Sequence, residues 1–129
     1  MKTTLHHFAY TITPGSLELV LELFEKMGCE LAYREGDARW CLIWQKKIPI
    51  DIQIIETEDE VAPTEIKTST HIAFVSEDPR GDIDEIEAWT RENEVGFIRG
   101  GWSEKELWFD LPDIFGNFVV EIMKPPVAE

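Results

Sequence analysis

Four polar side chains of this sequence have the types and spacing expected of metal ligands: His7, Gln53, His71 and Glu121. The segments LHHFAYTI and STHIAFVS each place a histidine before an apolar residue, an alanine and an aromatic residue. The two histidines lie 64 positions apart, and the glutamine and glutamate lie 68 positions apart. Two imidazoles, a carboxylate and an amide oxygen suit a borderline divalent ion, and two histidines with one carboxylate resemble the facial site of non-haem iron.

Each of these residues also has a structural interpretation. A histidine in a half-buried strand often bonds only a backbone carbonyl, and Gln53 is equally suited to donate a hydrogen bond to a substrate. Glu121 is more informative, because a carboxylate facing a sheet interior is costly unless it is paired or bound to a metal. Asp51 shares the strand face of Gln53 and is a candidate general base, a group that orients a histidine, or a solvated residue at the sheet rim. His6 points to the other face and is expected to be structural or exposed.

The first half of the chain predicts one strand, one helix and three further strands. The strand LHHFAYTI alternates in polarity, and Pro14-Gly15 ends it. Ser16 is a candidate N-cap for a helix that ends before Gly28, and its expected apolar face is Leu17, Val20, Leu21 and Phe24. The three following strands are CELAYRE, RWCLIWQ and IDIQIIE.

The second half repeats this order after an acidic linker at about residues 58–67. STHIAFVS predicts a strand, residues 78–81 predict a turn, and Asp82 with Glu85 fits a capping box that opens a helix. Its inward residues are expected to be Ile83, Ile86, Trp89 and Thr90. VGFIRGG, KELWFDL and NFVVEIM then predict three strands. Trp40 and Trp108 also lie 68 positions apart, so we expect them at equivalent places of an internal duplication.

We therefore predict an α+β fold with two sequential βαβββ modules in a paired, curved mixed sheet, and helices on its outer face. The chain is expected to be one domain, residues 1–129, with module one at about 3–57 and module two at about 68–124. The residues expected to pack on the helices are Ile50, Ile52 and Ile54 and the pairs Phe8/Tyr10 and Ile72/Phe74. The four candidate ligands then face away from the helices, where they converge if the modules pair about a twofold axis.

Composition excludes several classes of partner. A net charge of −14 and a pI near 4.5 repel phosphate backbones and anionic membrane surfaces, which argues against nucleic-acid binding. No apolar run approaches the length of a membrane helix, and the N-terminus has no secretion signal. Cys29 and Cys41 have no CxxC spacing, so we expect reduced packing residues in a cytoplasmic protein.

The duplicated βαβββ pattern, the early histidine of each half and PDIFGNFVVEI near the end resemble the vicinal oxygen chelate superfamily. That group contains glyoxalase I, extradiol dioxygenases, methylmalonyl-CoA epimerase, fosfomycin-resistance enzymes and metal-free bleomycin-binding proteins. The resemblance covers about residues 5–123 and carries the family's metal positions onto the same four residues, His7, Gln53, His71 and Glu121. It implies a bound divalent ion (zinc, nickel, cobalt, manganese or iron). The substrate would coordinate this ion through two adjacent oxygen atoms.

The resemblance implies a metal-dependent lyase or isomerase for a small molecule, in which Glu121 or Asp51 is the catalytic base. One alternative is an iron(II) ring-cleaving dioxygenase on His7, His71 and Glu121. A second alternative is a metal-free binding protein of the antibiotic-sequestering kind. Relatives with short duplicated chains commonly dimerise, so a homodimer is expected.

Aromatic and basic residues are candidates for the substrate pocket. Four tryptophans are the aromatic candidates: Trp40, Trp44, Trp102 and Trp108. Trp40 and Trp108 are also suited to the core, because they recur at repeat spacing. Arg99, together with Arg34 and Arg39, is a candidate anchor for an anionic group, although surface placement is the ordinary outcome for arginine.

Overall fold

The computed structural model describes residues 1–125 and divides them into two compact units. Unit 1 is Met1–Glu60, and unit 2 begins at Val61. Each unit contains a four-stranded mixed sheet with one main helix, so the predicted α+β fold of two βαβββ modules is confirmed. No helix within residues 1–125 is long and apolar enough to cross a membrane.

Unit 1 is built in the order strand, helix, strand, strand, strand: β1 His7–Ile12, α1 Leu17–Lys26, β2 Glu30–Tyr33, β3 Trp40–Trp44 and β4 Asp51–Glu56. Its strand order is β1-β4-β3-β2, with β1 and β4 parallel and the other pairs antiparallel. Apolar residues of α1 pack on alternate residues of the sheet, among them Ile12, Cys41, Ile43 and Ile54, which are all buried. Phe8, predicted to pack on the helix, is instead 52% exposed near the start of β1.

Unit 2 repeats the order with one additional short helix: α2 Thr64–Lys67, β5 His71–Val75, α3 Pro79–Glu92, β6 Ile98–Ser103, β7 Glu106–Asp110 and β8 Val119–Met123. Its strand order, β5-β8-β7-β6, matches that of unit 1, and β5 and β8 are parallel. The four predicted inward residues of α3 are buried. α2 lies within the segment predicted to be a linker; at four residues it is too short to show a hydrophobic period.

The structure corrects the predicted start of α3, and it confirms the start of α1 but not its side-chain cap. α3 begins at Pro79, inside the predicted turn, because Asp78 is the N-cap and its carboxylate accepts a hydrogen bond from the Gly81 N–H at 3.1 Å. Ser16 occupies the N-cap position of α1, but its hydroxyl donates to the Thr13 carbonyl at 2.6 Å and does not cap the helix. At the other end of α1, Gly28 has φ 95°, as expected for the residue that ends a helix.

The N-terminus of α1 is capped from the sheet. The Leu17 N–H donates to the Glu56 carboxylate at 3.0 Å, and Arg39 binds Glu56 and Glu18 through charged hydrogen bonds. Hydrogen bonding to Arg39 lowers the pKa of Glu56 from its usual 4.5 to about 2, and it does the same for Glu18. A residue at the end of β4 therefore supplies the interaction that the sequence predicts for Ser16.

We expect Glu56→Gln to lower the free energy of unfolding by about 1 kcal/mol at pH 7, since the carboxylate caps α1. Because the folded pKa of Glu56 is below its unfolded value, this contribution is complete above about pH 4.5 and is lost as the pH falls towards 2. The difference between wild type and variant should therefore shrink across that window in urea titrations. Glu25→Gln, on the exposed part of α1, is the matched control, and an equal effect of both variants would contradict the capping role.

Candidate functional site

His71 and Glu121 lie side by side on the face of the unit 2 sheet that is opposite α3. They project from the neighbouring strands β5 and β8, and the His71 Nε2 is 3.4 Å from Oε1 of Glu121. Glu121 is almost fully buried, whereas the His71 side chain is 36% exposed. The pair therefore combines a desolvated carboxylate with an imidazole that solvent and ligands reach.

The other ring nitrogen of His71 is held by the backbone. Nδ1 is 3.2 Å from the carbonyl oxygen of Thr68, the residue that ends α2. A carbonyl oxygen only accepts hydrogen bonds, so Nδ1 carries the proton and the Nε2 lone pair of the neutral ring points towards Glu121. Trp102 packs against the imidazole with ring centroids 5.1 Å apart. When the ring is neutral, two electron-rich atoms therefore face each other, and a proton or a cation between them stabilises the pair.

Burial raises the pKa of Glu121. The nearby His71 charge opposes this shift in the pKa and Glu106 adds to it. A carboxylate with this environment gains a proton, or a counterion, more readily than an exposed glutamate does. Sequence reasoning predicted that some compensation for this buried charge is needed, and the imidazole is the partner that the structure shows.

Unit 1 places His7, Asp51 and Gln53 on the equivalent face. His7 lies opposite Asp51 in the parallel β1–β4 pair, and Gln53 lies opposite Ala9. Nδ1 of His7 is 3.0 Å from Nδ1 of His6, which leaves its Nε2 for another partner. Asp51 and Gln53 are half-buried, and both histidines are exposed.

The register of the two sheets shows which positions are equivalent. His71 lies opposite Val119 and Ala73 opposite Glu121, so the two candidate ligands of unit 2 have the same relation to each other as His7 and Gln53. The tryptophans do not follow this equivalence. Trp108 lies opposite Glu121, but Leu42, not Trp40, lies opposite Gln53. In the folded hairpins, Trp40 therefore lies two residues away from the position that is equivalent to Trp108.

A cleft of about 540 Å³ opens on the ligand-bearing side of unit 2. Its lining comes from α2, β6 and β7: Thr64, Glu65, Thr68, Ile98, Gly101, Trp102 and Trp108. The two indole rings are 6.4 Å apart between centroids and inclined by 45°. The backbone of Gly100 lies so close to the Trp108 ring that a Cβ there would overlap with it. Sequence reasoning predicted both tryptophans but missed the α2 residues, whose only signal was Pro63 before a short polar run.

The other predicted pocket residues lie elsewhere. Arg99 occupies the opposite face of β6, where its guanidinium donates to Asp84 at 2.7 Å and Glu87 at 3.0 Å on α3. Neighbouring residues of a strand face opposite sides of the sheet, and Gly100 lies on the side of Trp108, so Arg99 lies on the other side. Trp40 and Trp44 are half-buried on β3 of unit 1, and Trp40 packs against Tyr33. Within residues 1–125, no group of three or more His, Cys, Asp or Glu side chains is arranged to hold a metal.

The sequence matches no protein-family model and no curated protein. Solved structures do match over almost the whole chain. Fosfomycin resistance protein FosX from Listeria monocytogenes, in complex with Mn(II) and 1S,2S-dihydroxypropylphosphonic acid, has TM-score 0.62 and 17% identity, covering 99% of this chain and 97% of its own. A possible glyoxalase from Bacillus cereus has TM-score 0.59 and 16% identity over 95% and 99%. TnmS3, an antibiotic-binding protein from a Streptomyces species, has TM-score 0.54 and 15% identity over 97% and 98%.

These neighbours include glyoxalase-family and FosX proteins, which belong to the vicinal oxygen chelate superfamily. The chain shares their fold, and the resemblance read from the sequence is confirmed at that level. The three neighbours differ in what their names state, from a metal-bound resistance protein to an antibiotic-binding protein. At sequence identities of 15–17% the likeness shows the fold, and a function has to be inferred from the residues of this chain.

Proposed function

We propose that the protein is a divalent-metal-dependent lyase or isomerase for a small substrate with adjacent oxygen atoms. The proposed ligands are His7, Gln53, His71 and Glu121. The observation that carries the proposal is the 3.4 Å separation of His71 Nε2 and Glu121 Oε1. Two donor atoms each about 2.1 Å from one ion, at angles between octahedral and tetrahedral, lie about 3.0–3.4 Å apart. The spacing of these two donor atoms therefore supports binding of a divalent ion by His71 and Glu121.

The proposal combines two donors from each unit. His7 and Gln53 have the same register in their sheet as His71 and Glu121 have in theirs, so each unit carries an equivalent pair of proposed donors. We propose further that the protein is a homodimer. FosX was crystallised with Mn(II), which supports manganese alongside zinc, nickel, cobalt and iron as the resident ion.

In this function the protein residues bind the substrate and move a proton. The ion, when bound, supplies Lewis acidity at the substrate oxygens. Burial raises the pKa of the Glu121 carboxyl, so this residue is suited to accept a proton from substrate and return it. Asp51, half-buried beside His7, is the second candidate base. Free, buried thiols at Cys29 and Cys41 support the proposed cytoplasmic location.

Elemental analysis of protein purified without added metal tests this function. We expect about one divalent ion per proposed site, and we expect His7→Ala and His71→Ala each to lose most of it. His6→Ala is the matched control, since His6 contacts His7 but is not a proposed ligand. Light scattering with and without metal reports whether the protein dimerises. Retention of the ion by both histidine variants would contradict the proposed site.

The identity of the ion separates the two enzymatic possibilities. Iron with substrate-dependent oxygen consumption would indicate a ring-cleaving dioxygenase, in which His7, His71 and Glu121 bind the ion and Gln53 does not. Any of the other ions without oxygen consumption supports the lyase or isomerase.

A metal-free binding protein is the second candidate function, and the cleft beside Trp102 and Trp108 is the observation that favours it. The antibiotic-binding neighbour has the same fold. This function predicts that ligand affinity is unchanged in His7→Ala and His71→Ala, whereas the metal-dependent function predicts that both the ion and the activity are lost.

A further inference from the structure

The cleft of unit 2 has the size and wall composition of a site for an aromatic group. Its volume of about 540 Å³ is typical of small-molecule pockets. Trp102 is 47% exposed although it is a large aromatic residue, and its ring is inclined to that of Trp108. Two inclined indoles offer their faces to a flat guest. Ile98 and Gly101 complete the apolar part of the wall.

The charges around the cleft are negative. Glu65, at the exposed surface of α2, is the one ionisable residue of the lining, and it makes no ion pair within the part of the chain that the structure describes. Among residues 1–125, no lysine or arginine lines this cleft. The whole protein carries a net charge of −14, so the surrounding field also favours cations over anions.

The arginines that were candidates to bind an anionic substrate are occupied by carboxylates. Arg99 binds Asp84 and Glu87 on the α3 side of its sheet. In unit 1, Arg34 and Arg39 both bind Glu18 of α1. An anion in the cleft would therefore find a carboxylate and two indole faces but no counter-ion. The phosphonic acid bound by FosX is thus a poor guide to the ligand of this chain.

We propose that this cleft binds a planar aromatic group carrying a positive charge, such as an aryl or benzyl ammonium. The cation lies over an indole face with Glu65 nearby, and the ring packs against the wall of the cleft that Trp102 and Trp108 form. Trp102 also packs on His71, so a group bound here lies beside the His71–Glu121 pair. The inference deepens the proposed function, because it identifies the substituent that the substrate presents next to the reacting oxygens.

The test uses the full chain, freed of metal by chelation, at about 0.15 M salt to screen distant charges. Benzyltrimethylammonium, benzyl alcohol and phenylphosphonate are titrated while the tryptophan indole N–H signals are followed by NMR. We expect the cation to shift the signals of Trp102 and Trp108 and to bind about tenfold more tightly than the neutral alcohol. Phenylphosphonate should be the weakest of the three.

Variants of the cleft locate the binding. Trp102→Leu should weaken cation binding about tenfold, and Glu65→Gln two- to fivefold, which corresponds to an exposed charge interaction. Glu92→Gln, at the exposed end of α3, is the control for the charge. Gly100→Ala should displace the Trp108 ring and weaken binding, whereas Gly96→Ala, where a Cβ meets nothing closer than 3.3 Å, should not.

Equal binding of the cation and the phosphonate, or unchanged cation binding in Trp102→Leu, would overturn the inference. Either result leaves the metal analysis of His7→Ala and His71→Ala untouched, because the titration is done without metal. Conversely, tight cation binding by a protein that retains no metal when it is purified would support the proposed cation site. The same result would contradict the metal-dependent function. The two failures are thus distinguishable.

Discussion

Replacing Lys67 by methionine is expected to lower the free energy of unfolding by about 3–5 kcal/mol. The Lys67 side chain is fully buried, its Nζ is 3.0 Å from Oδ1 of Asp110, and it donates a hydrogen bond to the Phe115 carbonyl at 2.7 Å. Asp110 is also fully buried and accepts the Thr64 hydroxyl at 2.6 Å. Without the ammonium group, the buried Asp110 carboxylate keeps the neutral Thr64 hydroxyl as its hydrogen-bond donor. The free-energy cost of this unpaired charge exceeds the stabilisation from the packing that methionine preserves.

Urea unfolding followed by far-UV circular dichroism measures this cost. Lys105→Met, an exposed lysine whose side chain has no hydrogen bond or ion pair within residues 1–125, should change stability by less than about 0.5 kcal/mol. The double variant Lys67→Met/Asp110→Leu removes both charges and should recover most of the loss, as buried ion pairs do when both partners become apolar. A cost of less than about 1 kcal/mol for Lys67→Met alone would show that this pair is not what holds α2 in place.

The buried pair also connects the stability of unit 2 to its candidate site. Thr64 and Lys67 attach α2 to β7 and to the segment before β8, and the next residue, Thr68, supplies the carbonyl that holds His71 Nδ1. Glu65 of the same helix lines the cleft. A four-residue helix is not stable by its own hydrogen bonds, so this wall of the cleft depends on the ion pair that anchors it.

Strands such as β3 and β5 were predictable because one face is buried and the sequence alternates, whereas β2 is exposed at every residue. Alternation also defined the face of each strand, and it therefore predicted that His71 and Glu121 would be neighbours. α2 and the burial of Lys67 were not predictable in this way. Thr64 and Asp110 are 46 residues apart, and nothing local distinguishes a buried lysine from a solvated one.

The spacing of residues along the chain did not predict the register of the hairpins. The equal spacing of Trp40 and Trp108 suggested equivalence, but the position of a residue across a hairpin depends on the loop between the strands as well as on spacing. Arg99 was predicted to be a pocket residue, but its guanidinium lies on the side of β6 that faces α3. Whether the four candidate ligands share one ion stays a prediction, because it depends on contacts between distant segments that no periodicity encodes.

Glu121→Gln is expected to change stability in opposite directions with and without metal. In the absence of metal, the ionised carboxylate is costly because burial raises its pKa above the usual 4.5. A folded pKa above the unfolded value means that ionisation opposes folding at neutral pH. The amide has the same shape without the charge, so the variant should be more stable than wild type at pH 7.

With a divalent ion at 100 times its dissociation constant, wild type should gain about 2.7 kcal/mol of stability by mass action. Glu121→Gln should gain far less, because the amide replaces a charged ligand by a neutral one. The order of the two stabilities is therefore expected to reverse on adding metal. Urea titrations with and without added manganese or zinc measure both differences, and Glu92→Gln, an exposed glutamate on α3, should follow wild type in each.

A purely structural role for Glu121 makes the opposite prediction. If the carboxylate served only as the partner of a protonated His71, the amide would remove a stabilising ion pair. Glu121→Gln would then be less stable than wild type without metal, and metal would not alter the difference. Because the two roles differ in the sign of the metal-free effect, the experiment separates a metal ligand from a structural ion pair before any substrate is known.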